Sequence, residues 1–131
     1  MNFLVDTNIL AEAARPDPNP GVDRWLRQQD TLHLSVVTIE EVAYGLSWRP
    51  KPRVAAALTL LLNDQCIIHD VTEDIARRAG ELRGRLRASG QTRTQADILI
   101  AATALTLGYT VVTRNEGDFV GCGVGVINPF D

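Results

Sequence analysis

The sequence predicts an α/β fold: a three-layer α/β/α sandwich around a central parallel sheet. Three observations carry this. Short apolar runs alternate with amphipathic helical segments along the whole chain, which is how a parallel sheet covered on both faces is built. The chain has 131 residues, 45% hydrophobic and 22% charged, the size and composition of one globular domain. No repeat, low-complexity tract or linker divides it, so residues 1–131 are expected to form a single domain.

Residues 2–5 read as a short buried strand, and Thr7–Ala14 as a helix stopped by the three prolines of Arg15-Pro16-Asp17-Pro18-Asn19-Pro20. Val22–Gln29 reads as a second helix, with Val22, Trp25 and Leu26 at i, i+3 and i+4. Leu32–Val37 reads as a strand, Thr38–Ser47 as a helix, and Arg53–Asn63 as an apolar helix rich in Ala and Leu. Cys66–His69 reads as a strand. Thr72–Ser89 is a long amphipathic helix with Thr72 as cap, Glu73 and Asp74 at its positive end, and Gly90 as stop. Ala96–Leu107 is a helix closed by Gly108; Thr110–Thr113 and Val124–Ile127 are the last strands.

The two cysteines, Cys66 and Cys122, form no CxxC pair, so neither a zinc site nor a disulfide framework is expected. No apolar run approaches the ~20 residues that span a bilayer, and no basic segment precedes an apolar one at the N-terminus. A cytoplasmic location without membrane contact is expected. The net charge of −3 argues against nonspecific nucleic-acid binding by the whole surface. The basic residues are nevertheless uneven: Lys51 is the single lysine, and Arg77, Arg78, Arg83, Arg85, Arg87 and Arg93 crowd one stretch. That stretch is either a solvated, salt-bridged helix face or a phosphate-contacting one, since Arg forks match phosphate oxygens.

The acids are more telling. Asp6 follows the first strand, Glu41 the strand beginning at Leu32, and Asp118 the strand beginning at Thr110, while Asp97 opens the apolar helix after Thr94. Such transitions are where an α/β sheet builds its ligand crevice, and carboxylates gathered from distant positions are what a hard divalent cation requires. Each acid also has an ordinary explanation. Asp6 can cap the first helix. Thr38-Ile39-Glu40-Glu41 reads as a capping box in which Glu41 folds back to the Thr38 N–H, and Glu40, about 100° around the helix, is an alternative site acid. Thr94-Gln95-Ala96-Asp97 resembles a second capping box. Asn8 can add a carbonyl ligand or hold a carboxylate, and Thr113 and Asn115 offer a hydroxyl and an amide.

In this order these residues resemble the PIN-domain ribonucleases of the VapC toxin type. The resemblance rests on Val5-Asp6-Thr7-Asn8; on Ser35, Thr38, Glu41 and Gly45; on Asp97, Ile100, Ala101 and Ala102; and on Thr113-Arg114-Asn115 with Asp118-Phe119. It covers essentially the whole chain. Arg15-Pro16 through Asn19 and the ending Asn128-Pro129-Phe130 look closest to the FitB-like branch. The resemblance selects Glu41 over Glu40 and implies a PIN-like fold. It implies endonucleolytic cleavage of RNA with Mg²⁺ or Mn²⁺ held by Asp6, Glu41, Asp97 and Asp118, supported by Asn8, Thr113 and Asn115. One departure is Asn115, where some members carry Asp; Asp118 then serves as the fourth acid.

The resemblance further implies a homodimer, restrained by an antitoxin whose tail lies over the active groove and which supplies the DNA-binding segment. The chain itself has no helix-turn-helix and is expected to bind no DNA directly. Two other readings compete. A non-catalytic PIN-like binding module would keep the fold with a vestigial site. A phospho-aspartate phosphatase or receiver would need a late catalytic Lys, whereas Lys51 lies in a Pro-flanked loop, and the phosphatase would need an acid where Asn8 stands.

Overall fold

The structure, a computed structural model, describes residues 2–131. Five short strands form one all-parallel sheet: β1 (Phe3–Val5), β2 (Leu32–Ser35), β3 (Cys66–His69), β4 (Thr110–Val112) and β5 (Val126–Ile127). Their spatial order is β3-β2-β1-β4-β5. The chain runs outward from β1 to β3, then crosses back to lay β4 on the other side of β1. The β1/β4 boundary is therefore the topological switch point, where loops diverge and leave a crevice at the carboxyl ends of the strands.

Six α-helices cover the sheet: α1 (Thr7–Ala13), α2 (Pro20–Arg27), α3 (Val36–Trp48), α4 (Pro52–Gln65), α5 (Glu73–Ala88) and α6 (Gln95–Leu107). The period-2 alternation of the strands splits the core into two. Leu4 and Val111 face a cluster made with Ile75, Leu82, Leu86 and Ile98 of α5 and α6. Val5 and Val112 face the other, with Ile9, Leu10, Val22 and Leu58 of α1, α2 and α4. The expected three layers are present, and burial of these side chains, each worth about 1.5–3 kcal/mol, holds the strands whose ends carry the acids.

Several boundaries differ from the sequence reading, for local reasons. Helix α2 begins at Pro20, because Asn19 caps it by accepting from the Gly21 and Val22 N–H groups and Pro is well suited to a first helical position. Pro20, read as a stop, is a start. Strand β2 ends at Ser35, two residues earlier than expected, because the Ser35 hydroxyl accepts from Val37 N and starts α3 there. Strand β5 is shorter than expected, and a 3₁₀ turn spans Glu116–Phe119. Thr72 caps α5 as expected, and Gly108 closes α6 at φ +73°, a conformation that favours glycine.

Candidate active site

Asp6 is the residue after β1 and is 5% exposed. Parallel pairing of β1 with β4 puts Leu4 beside Val111 and Val5 beside Val112, so the next step brings Asp6 to Thr113. Asp6 Oδ1 accepts from the Thr7 N–H at 2.7 Å, which is the helix-cap role. Oδ2 accepts from Thr113 Oγ1 at 2.8 Å and from Asn8 Nδ2 at 3.1 Å. Cap and site roles thus coexist on one carboxylate. Asn8 Oδ1 accepts from Arg114 N at 3.0 Å, and Thr113 Oγ1 accepts from Asn115 N at 3.0 Å. Asn8 and Thr113 are both knitted to Asp6; Asn115 enters through its backbone.

Glu41 arrives from α3. Because that helix begins at Val36, Thr38 is inside its first turn rather than capping it, and the expected capping box between Glu41 and Thr38 is not formed. Glu41 Oε1 instead accepts from Thr7 Oγ1 at 2.6 Å, and Thr7 Oγ1 lies 3.2 Å from Thr38 Oγ1. Thr38 is fully buried, Glu41 half-buried and Glu40 exposed. Residues three apart on a helix share a face, so Thr38 and Glu41 both reach α1 while Glu40 turns to solvent. Thr7 and Thr38 carry roles that reading the sequence for acids leaves unassigned. The available signal is their place inside the two acid-bearing motifs.

Asp97 sits in the first turn of α6, whose cap is Thr94 Oγ1 accepting from Asp97 N at 3.2 Å. Its carboxyl is pushed above the ordinary carboxylate range. Burial is the main cause, the Thr94 hydrogen bond opposes it, and the negative charges of Asp118, Asp6 and Glu41 add to it. The four acids therefore lie in one electrostatic neighbourhood. Asp118 is exposed on the 3₁₀ turn, anchored by Phe119, which is buried against α6. Among the described residues, no three acid, His or Cys side chains stand close enough together to hold an ion as placed. The four carboxylates offer the negative charge and hard oxygen donors that a divalent cation takes, without a closed coordination shell.

An apolar cleft of about 440 Å³ adjoins Glu41 and Thr7, walled by Val42, Leu46, Trp48, Val54 and Leu58, with Arg49 and Lys51 at its edge. The arginines of α5 divide. Arg77 pairs with Glu73 at 3.0 Å and Arg78 with Asp74 at 3.1 Å, the solvated-face arrangement. Arg83, Arg85 and Arg87 are exposed. Arg93 lies beyond the helix and donates to Val120 O at 2.8 Å; its charge lowers the Cys122 thiol pKa, which the charge of Asp97 raises. Of the six, it is the one tied to the acids' neighbourhood.

A buried Asp6 at the switch point of a small parallel sheet, with Asp97 under the charges of Asp6, Glu41 and Asp118, defines the class. The PIN domain family model matches residues 3–120, and the chain belongs to that family. It is 30% identical to the VapC ribonuclease Y4jK of Sinorhizobium fredii and 31% identical to the toxin FitB of Neisseria gonorrhoeae, each match covering 98% of both chains. Among solved structures it resembles a chain of a toxin–antitoxin complex from Klebsiella pneumoniae, with a TM-score of 0.73 and 27% identity over 99% of both chains.

Proposed function

We propose that this chain is a metal-dependent endoribonuclease and the toxin of a VapBC-like toxin–antitoxin pair. The observation that carries the reading is the grouping of four acids from four distant chain positions, in which Asp97 feels the charges of Asp118, Asp6 and Glu41. Family membership and the ribonuclease and toxin relatives supply the reaction class.

Asp6, Glu41, Asp97 and Asp118 would hold Mg²⁺ or Mn²⁺. When bound, such a cation neutralises phosphodiester charge and lowers the pKa of a water it binds. The chain's own residues do the rest. Thr113 and Asn8 fix the Asp6 carboxylate from two sides, and Thr7 fixes Glu41. Glu41, half-buried and oriented, is placed to accept a proton from the attacking water. Asp97, with its raised pKa, takes a proton more readily than an ordinary aspartate when no cation is present. Arg83, Arg85, Arg87 and Arg93 offer charge to an approaching strand; Arg77 and Arg78 must share theirs with Glu73 and Asp74.

The restraint is an antitoxin tail. The cleft beside Glu41 is mostly apolar, with Glu41 in its wall. It suits a segment with apolar side chains and one Arg or Lys reaching the carboxylates, competing with metal, RNA or both. DNA recognition belongs to that partner, and the toxin is a homodimer within the complex. No described helix is long and apolar enough to cross a membrane.

The test is cleavage of purified RNA with Mg²⁺ or Mn²⁺, with EDTA and Asp6→Asn as controls, then repeated after purification with the adjacently encoded protein. Metal-dependent cleavage that vanishes in Asp6→Asn and in the complex is expected. Full activity in Asp6→Asn refutes the site, and a neighbour that neither binds nor inhibits refutes the toxin reading.

A further inference from the structure

A second cleft, of about 370 Å³, opens on the adjoining face of α1, lined by Asn8, Glu12, Arg15, Lys51, Arg114 and Phe130. Three cations there face one acid. Glu12, Arg15 and Arg114 are each held in place. Glu12 is buried and accepts from Asn19 N at 2.8 Å and from Arg15 Nη1 at 3.2 Å. That backbone hydrogen bond, aided by Arg15 and the charge of Arg114, keeps the Glu12 carboxyl below the usual range despite burial. Glu12 therefore stays ionised and pins Arg15 at the rim. The Arg114 guanidinium carbon lies 4.7 Å from the centroid of the Phe130 ring, a cation–π contact.

The fourth wall is the first turn of α4. Lys51 precedes Pro52 there, and no side chain caps the helix. Lys51 and Val54 of this uncapped helix start both line the cleft, at the positive end of the helix. Asn8 joins this basic cleft to the acids, because it lines the cleft while its Nδ2 bonds Asp6 Oδ2.

We infer that this cleft is a phosphate subsite, seating a backbone phosphate of the RNA strand next to the one that is cut. The inference rests on the nuclease reading above. A polyanion cannot settle across four carboxylates without cations on its flank, and here Arg15, Lys51 and Arg114 are concentrated one residue from Asp6. The apolar cleft beside Glu41 shares Ala11, Lys51 and Val54 with this one, so Lys51 stands where an antitoxin tail and the RNA backbone would meet.

The experiment uses Lys51→Gln, Arg114→Gln and the double variant in the full chain carrying Asp97→Asn to suppress cleavage. The probe is a labelled single-stranded RNA of mixed sequence, followed by anisotropy over a salt series in calcium buffer. The double variant should bind several-fold more weakly, and its log–log salt slope should flatten by about 0.7 for each phosphate that is no longer neutralised. Lys51→Arg, which keeps the charge, should bind as the parent does. Unchanged affinity and slope in the double variant overturn the inference. So does weaker binding at an unchanged slope, or a parent that does not bind. If Lys51→Arg fails as fully as Lys51→Gln, charge is not what the cleft supplies and the inference fails. If the double variant loses the antitoxin but keeps RNA, the cleft belongs to a protein tail and the inference again fails. The nuclease reading is judged separately, by cleavage in the chain with Asp97 intact.

Discussion

The Thr7 hydroxyl donates to Glu41 Oε1 at 2.6 Å, across 34 residues of sequence. It ties the first turn of α1, directly after Asp6, to the α3 acid, so both carboxylates are positioned by one short segment. Thr7 contributes no charge to the site; its role is to orient. Removing such a partner of a carboxylate proposed to hold metal should lower activity by roughly 10–100-fold. Thr7→Val should do so with the fold intact, while Thr7→Ser, which keeps the hydroxyl, should recover most of the loss. Initial rates across a metal titration check this. Equal impairment of Thr7→Ser and Thr7→Val would assign the effect to packing instead.

The same geometry separates Glu41 from Glu40. Glu41→Gln should lower cleavage by orders of magnitude, because a neutral amide neither holds a cation well nor accepts the water proton. Glu40, exposed on α3, should tolerate Gln with a change of less than about twofold, as surface substitutions generally do. Parallel assays of the two variants decide it. Loss in Glu40→Gln with retention in Glu41→Gln would move the catalytic acid to the other face of the helix.

Asp97 carries a different expectation. Its carboxyl is raised by burial and then by the acids around it. A group whose folded pKa lies above its unfolded value opposes folding while ionised, and the opposition is relieved as pH falls through the folded pKa. In EDTA at neutral pH, Asp97→Asn should therefore melt higher than the unmodified chain. The difference should shrink toward acid pH, and a saturating divalent cation should stabilise the unmodified chain more than the variant. A lower melting temperature for Asp97→Asn in EDTA would count against repulsion within the cluster.

Much of this was legible from local chemistry. Thr72 and Thr94 cap their helices where a hydroxyl before an acid-rich turn predicts, and Gly108 closes α6. The layers followed from strand–helix alternation. What misled was competition between equally good caps. Ser35 and Thr38 both precede apolar helical sequence, and Ser35 wins because β2 ends at the point where His69 closes its pairing with β3. That two-residue shift dissolves the supposed capping box and frees Glu41 for Thr7. The basic cleft could not be read at all, since Arg15, Lys51 and Arg114 meet only after the chain has folded.

The last prediction concerns two histidines on adjacent strands. His33 Nδ1 lies 2.9 Å from His69 Nε2, with the rings stacked at 5.2 Å and Tyr109 packed edge-on against both. One ring nitrogen of this pair must accept, so two imidazolium ions cannot both keep it. Burial lowers the His33 pKa below its ordinary 6.5, and the His69 charge lowers it further. The unfolded chain therefore takes up a proton that the folded chain resists. Stability from this pair is complete above the ordinary histidine range and is lost as pH falls through it toward the folded pKa. Because Asp97 acts in the opposite sense, the useful quantity is a difference. The melting temperature of the unmodified chain minus that of His33→Gln should shrink between about pH 8 and pH 5.5, where an unperturbed histidine titrates. The pair lies on the face of the sheet covered by α5 and α6, so breaking it should loosen β2 against the edge strand β3. Hydrogen exchange at the β3 amides that bond to β2 should quicken over the same interval. A pH-independent melting difference, with unchanged exchange at those amides, would show that the two rings are only packed together.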